Sequence, residues 1–82
     1  MITVRYFASL REQLGTDERV MWRQGLTVAS LRDALIGMDA THATALSRER
    51  AVRCALNQLM SGEDAMVPDG SEVAFFPPVT GG

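Results

Sequence analysis

The chain opens on an alternation. Ile2, Val4 and Tyr6 fall on one side of an extended segment, Thr3, Arg5 and Phe7 on the other, which is the period of a half-buried strand. Ala8 to Leu14 then changes to helical spacing, with Leu10 and Leu14 at i, i+4 and Gly15 placed as the residue that ends the helix. Glu18 to Arg23 predicts a second strand, whose inward parity the Val20-Met21-Trp22 run leaves open. Residues 27–37 predict the main helix. Thr27 can cap it, Leu26 and Leu31 stand where a hydrophobic staple would form, and Val28, Leu31 and Leu35 make an apolar stripe that ends at Gly37. Residues 39–50 carry little pattern and are read as a loop with a short helix in Thr41 to Leu46.

Val52 to Asn57 alternates again, with Val52, Cys54 and Leu56 together, and Leu59-Met60 predicts a further short extended piece. Val67-Pro68-Asp69-Gly70 is turn chemistry, and Glu72 to Phe76 is the last strand. One long helix cannot cover both faces of a four- or five-stranded sheet. The expected class is therefore α+β, with the helix on one face and the other face partly open. The expected organisation is a domain over residues 1–76 and an extended arm over residues 77–82.

Composition narrows the function classes. Eighty-two residues make one small domain, with a radius of gyration of about 12 Å. Ten acidic side chains against eight basic ones, all Arg, leave a net charge of −2, which argues against a nucleic-acid or anionic-membrane binder. A single Cys excludes an intrachain disulfide, and one Cys with one His cannot build a structural zinc site. No apolar run approaches the roughly 18 residues of a membrane span, and the opening lacks the regions of a signal peptide. A cytoplasmic protein with no metal and no bound cofactor is expected. A chain this short has little room for a deep pocket, so function is expected on a surface or at an end.

Most reactive side chains have structural readings. Cys54 shares parity with Val52 and Leu56, so it is expected in the core as a small hydrophobe. His42 lies in a polar stretch and is expected to be exposed and without a role. Glu63 and Asp64 are expected to form a solvated turn. No nucleophile–His–carboxylate set and no phosphate-cradling glycine loop can be argued.

The end of the chain is different. From Val73 to Gly82 no side chain carries a charge. Pro77 and Pro78 cannot continue a central strand and favour extended geometry, so they should project the rest of the chain off the sheet. The six residues after Phe76 can reach about 20 Å, and the last two, Gly81 and Gly82, are slim enough to thread a narrow channel. The terminal carboxylate then stands beside an unsubstituted Cα, open to attack once activated. If Val73 and Phe75 face the core, then Phe7 and Phe76 share the open face. Rimmed by Arg5, Arg11 and Arg53, they form an apolar patch of the kind that meets a partner.

The stretch Asp69-Gly70-Ser71-Glu72-Val73-Ala74-Phe75-Phe76-Pro77-Pro78-Val79-Thr80-Gly81-Gly82 closely resembles the ending of molybdopterin synthase small subunits, a family of ubiquitin-like sulfur carriers. The likeness continues more weakly through Ile2-Thr3-Val4-Arg5-Tyr6-Phe7, Leu10-Arg11-Glu12, Leu26-Thr27-Val28 and Leu56-Asn57-Gln58, and is least over Asp39 to Arg50. It implies a β-grasp fold and a role in molybdenum cofactor synthesis. It also implies that an ATP-using activating enzyme adenylates Gly82 and that a sulfur donor converts it to a thiocarboxylate. Val79, Thr80 and Gly81 would enter the active site of the large synthase subunit with it, where sulfur passes to cyclic pyranopterin monophosphate. Phe7, Met60, Phe76, Pro77 and Pro78 would dock on that subunit, with Arg11 as an ion-pairing contact, in a heterotetramer. The small subunit would not be an enzyme by itself, and ATP would belong to the activating enzyme.

Two other readings share the terminal glycines. One is a sulfur carrier for thiamine, cysteine or tRNA thiolation. The other is a ubiquitin-like modifier joined to lysines, or a binding module.

Overall fold

A computed structural model describes residues 1–78. In chain order its elements are β1 (Ile2–Tyr6), α1 (Ala8–Leu14), β2 (Asp17–Val20), α2 (Val28–Ile36), α3 (Ala40–Ala45), β3 (Arg53–Leu56), β4 (Leu59–Ser61) and β5 (Glu72–Phe76). The strands form one five-stranded sheet in the order β2-β1-β5-β3-β4. β1 and β5 run parallel at its centre, with Val4 opposite Val73 and Tyr6 opposite Phe75, and the remaining pairs are antiparallel. This mixed sheet with helices on one face is the β-grasp arrangement that the resemblance implies. The radius of gyration is 11.7 Å, and no helix among the described residues is long and apolar enough to cross a membrane.

The alternation of β1 and β5 decides the core. Ile2, Val4, Tyr6, Val73 and Phe75 are buried together with Leu10 of α1 and with Val28, Leu31 and Leu35 of α2. α2 begins where the sequence predicts. The Ser30 N–H donates to Thr27 Oγ1 at 3.1 Å, and the Thr27 N–H donates to Ser30 Oγ at 2.9 Å, a reciprocal cap. Leu26 and Leu31 are both buried, as the staple requires. At the end of α1, Gly15 takes a φ of 92°, which favours glycine.

Two elements differ from the pattern. β2 stops at Val20 instead of running to Arg23, because Trp22 leaves the ladder and its indole N–H donates to the Val67 carbonyl at 2.7 Å. Between β3 and β4 the turn is two residues long, with Asn57 and Gln58 both at positive φ (49° and 70°), the geometry of the tightest hairpins. The Asn57 carboxamide oxygen accepts the Glu72 N–H at 2.9 Å, which ties this turn to the start of β5.

Candidate functional site

The side of the sheet away from the helices carries the residues of opposite parity. A row crosses it through register pairs: Arg5 opposite Ala74, Ala74 opposite Ala55, Ala55 opposite Met60. The two alanines lie outside the core cluster yet are buried, because larger neighbours rise around them. The result is a hollow of about 340 Å³ with Ala55 and Ala74 at its centre, walled by Phe7, Phe76, Met60, Gln58, Arg5 and Glu72. Phe7 and Phe76 stack with centroids 4.8 Å apart. The Arg5 guanidinium lies 5.5 Å from the Phe7 ring centre, a cation–π distance, and 3.7 Å from the Glu72 carboxylate. Arg53 stands opposite Phe76 in the ladder.

The sheet therefore brings Phe7, Met60 and Phe76 to one hollow together with Arg5, and sets Arg53 beside it. Arg11 is exposed on α1 and does not line the hollow; it forms no ion pair among the described residues. Pro77 and Pro78 come directly after the last strand and belong to no element. Val79, Thr80, Gly81 and Gly82 lie outside the described residues. The backbone fixes Phe7 by extending the parallel ladder, its N–H donating to the Phe75 carbonyl at 3.2 Å. No group of three or more His, Cys, Asp or Glu side chains among the described residues is arranged to hold a metal.

Three polar positions correct or extend the sequence reading. His42 is 8% exposed instead of free in solvent. Its Nε2 lies 2.7 Å from Glu18 Oε2 and its Nδ1 2.8 Å from Asp39 Oδ1. With a carboxylate at each nitrogen, only the protonated ring can donate to both. Burial alone would lower the His42 pKa, but the bonds to Glu18 and Asp39 outweigh it and raise it. The Tyr6 hydroxyl donates to the same Glu18 oxygen at 2.7 Å, and burial, then Glu18, pushes that phenol far up. The cluster locks α3 to β1 and β2.

Glu63 and Asp64 do form a turn, and Asp64 is exposed, but the Glu63 carboxylate is not left to solvent. It pairs with Arg32, which is 3% exposed, at 2.7 Å and also with Arg48. Burial would raise the Glu63 carboxyl, but Arg48 and Arg32 hold it below the usual carboxylate range. Arg32 stands one turn after Val28 on the buried stripe, where its charge hides its inward place from the hydrophobic pattern. Its guanidinium donates to the carbonyls of Leu46 (2.8 Å), Ser47 (2.6 Å) and Arg50 (3.1 Å), so one cation organises the loop between α3 and β3. Cys54 is buried as expected, its Sγ 3.3 Å from the Ser61 carbonyl, and burial pushes its thiol up. That is the opposite of what a nucleophilic thiolate needs.

The ThiS family matches residues 4–82 of the chain. The whole chain is similar to the molybdopterin synthase sulfur carrier subunit of Escherichia coli, with 42% identity over 82 residues that span 100% of both proteins. The subunit of the same name from Haemophilus influenzae is 35% identical over the same span. Among solved structures, H. volcanii small archaeal modifier protein 1 is similar at a TM-score of 0.75 and 27% identity, over 95% of this chain and 97% of that one.

Proposed function

Because the chain belongs to the ThiS family, we propose that it carries sulfur for molybdenum cofactor synthesis, as the small, non-catalytic subunit of a molybdopterin synthase. The observation that carries this reading is the extent of the likeness. The family match runs to Gly82, and two sulfur carrier subunits align over the entire chain.

In this reading residues 1–76 are the docking domain and residues 77–82 the working arm. The Gly82 carboxylate, anionic near neutral pH, is a poor electrophile. An activating enzyme joins it to the adenylate of ATP, which supplies a leaving group. Sulfur from a donor attacks the carbonyl carbon, the adenylate departs, and a thiocarboxylate remains. Val79, Thr80 and Gly81 deliver that sulfur into the large subunit, where cyclic pyranopterin monophosphate receives it. The carrier needs no catalytic side chain and no cofactor of its own. Phe7, Met60 and Phe76, continued by Pro77 and Pro78, form the docking surface. Arg5 and Arg53, with Arg11 further out, favour a partner with an acidic rim. The assembly is a heterotetramer in the cytoplasm, with no nucleic acid or membrane involved.

The test is mass spectrometry of the C-terminus after incubation with the activating enzyme, ATP and a sulfur donor. Replacement of one Gly82 oxygen by sulfur is the expected result, and a Gly82 that stays a carboxylate overturns the reading. The likeness to small archaeal modifier protein 1 favours a second reading, conjugation. In that case the same experiment with acceptor proteins present would leave Gly82 in an isopeptide bond instead.

A further inference from the structure

Methionine normally fills irregular gaps in a core. Here all five, Met1, Met21, Met38, Met60 and Met66, are more than half exposed, and the buried cluster is built from Leu, Ile, Val, Tyr and Phe with small residues. Of the five, Met60 walls the hollow on the open face of the sheet, opposite Ala55 and beside Phe76. Its side chain is 58% exposed. Cys54, on the adjoining strand, is 4% exposed. The oxidisable sulfur that this face presents to solvent is therefore a thioether, not a thiol.

We propose that Met60 is an oxidative modification site: a peroxide converts it to the sulfoxide, and the modified carrier loses its affinity for the large subunit while its fold stays intact. The inference rests on the docking role given to this face above. The chemistry is balanced. The Met60 sulfur attacks one peroxide oxygen, an S–O bond forms and the O–O bond breaks. The proton on the transferred oxygen goes to the departing hydroxide, which leaves as water. Sulfur is oxidised by two electrons and the peroxide is reduced. The product replaces an apolar, flexible wall of the hollow with a polar, stiffer one. Docking then has to strip water from that oxygen and loses the apolar contact of the thioether, which disfavours binding. Folding is spared because the sulfur is already at the surface and the core contains no methionine to oxidise.

The experiment treats the full chain with hydrogen peroxide and assigns each added oxygen by peptide mapping. Affinity for the large subunit is then measured by calorimetric titration, and stability by thermal unfolding. Carrier oxidised at Met60 should bind at least about tenfold more weakly with Tm unchanged, and methionine sulfoxide reductase should restore binding. The triple variant Met21→Leu, Met38→Leu, Met66→Leu should remain sensitive to peroxide. Met60→Leu should show equal affinity before and after treatment. In the preformed complex Met60 should be shielded while Met21, Met38 and Met66 still react. Unchanged affinity after Met60 oxidation overturns the inference and leaves the docking reading intact, as does a triple variant that no longer responds. Untreated carrier that fails to bind the large subunit, or a Met60 that oxidises equally fast in the complex, overturns the docking reading itself.

Discussion

Phe7 and Phe76 come from opposite ends of the chain and lie nearly parallel, 14° between ring planes. The parallel register of β1 with β5, Tyr6 opposite Phe75, places them so. The pair exists only once the two ends of the chain have met, and it faces outward while their neighbours Tyr6 and Phe75 pack inward, 6.4 Å between centroids.

Phe76→Ala should lower stability by about 1 kcal/mol, the worth of one aromatic stack. It should weaken large-subunit binding by about 2 kcal/mol or more, as loss of an anchor does. Phe75→Ala should cost about 3–5 kcal/mol of stability, because Phe75 is 1% exposed. Denaturant unfolding and calorimetric titration of both variants check this. Equal stability losses would contradict the two roles.

His42 makes stability depend on pH with a definite sign. Its pKa is raised in the fold, the bonds to Glu18 and Asp39 outweighing burial. Its contribution is therefore complete below the unfolded value of about 6.5 and is lost as pH rises through the folded value. The stability gap between the parent and His42→Gln should be widest near about pH 6 and narrow towards about pH 9, read from Tm across the series. A gap that widens with pH would mean that the ring is buried neutral.

Arg32→Met should destabilise the domain by about 3 kcal/mol, since the carbonyls of Leu46, Ser47 and Arg50 and the Glu63 carboxylate lose their shared donor. Arg32→Lys should recover only part, because an ammonium cannot reach four acceptors in a planar fork. Chemical denaturation ranks the three proteins, and a fully stable lysine variant would show that charge alone suffices.

Deleting Gly82 should abolish sulfur loading and leave Tm within about 1 °C, because a terminal glycine has no side chain to bury. A truncated chain that still accepts sulfur would remove the basis of the carrier reading.

The sequence reveals those parts of the fold whose signals are local. Ile2, Val4 and Tyr6 mark β1 and Val73 and Phe75 mark β5 by alternation alone, and Thr27 with the Val28, Leu31, Leu35 stripe marks α2. The stretch around α3 is opaque because His42 holds it through Glu18, a residue on a distant strand. Arg32 sits on the inward stripe by spacing, but its charge argues the other way. Only the carbonyls of the 46–50 loop turning towards it make burial tolerable, and nothing near Arg32 in the chain shows them. Asn57-Gln58 lacks the glycine that announces a tight hairpin. On the docking face, parity identifies Phe7 and Phe76. The hollow over Ala55 and Ala74 needs the register of three strands, which no single segment contains.

The position of β5 has a mechanical consequence. It lies between β1 and β3, bonded on both flanks, and its last residue, Phe76, leads directly into Pro77. A pull applied along the axis of β5 at its C-terminal end therefore runs across the hydrogen bonds of both ladders. The two ladders share that load in shear instead of opening one bond at a time, as a strand peeled sideways from an edge would. The fold grips its own handle by the middle of the sheet, and any protein that pulled on the end of this chain would tug against a strand held on both sides.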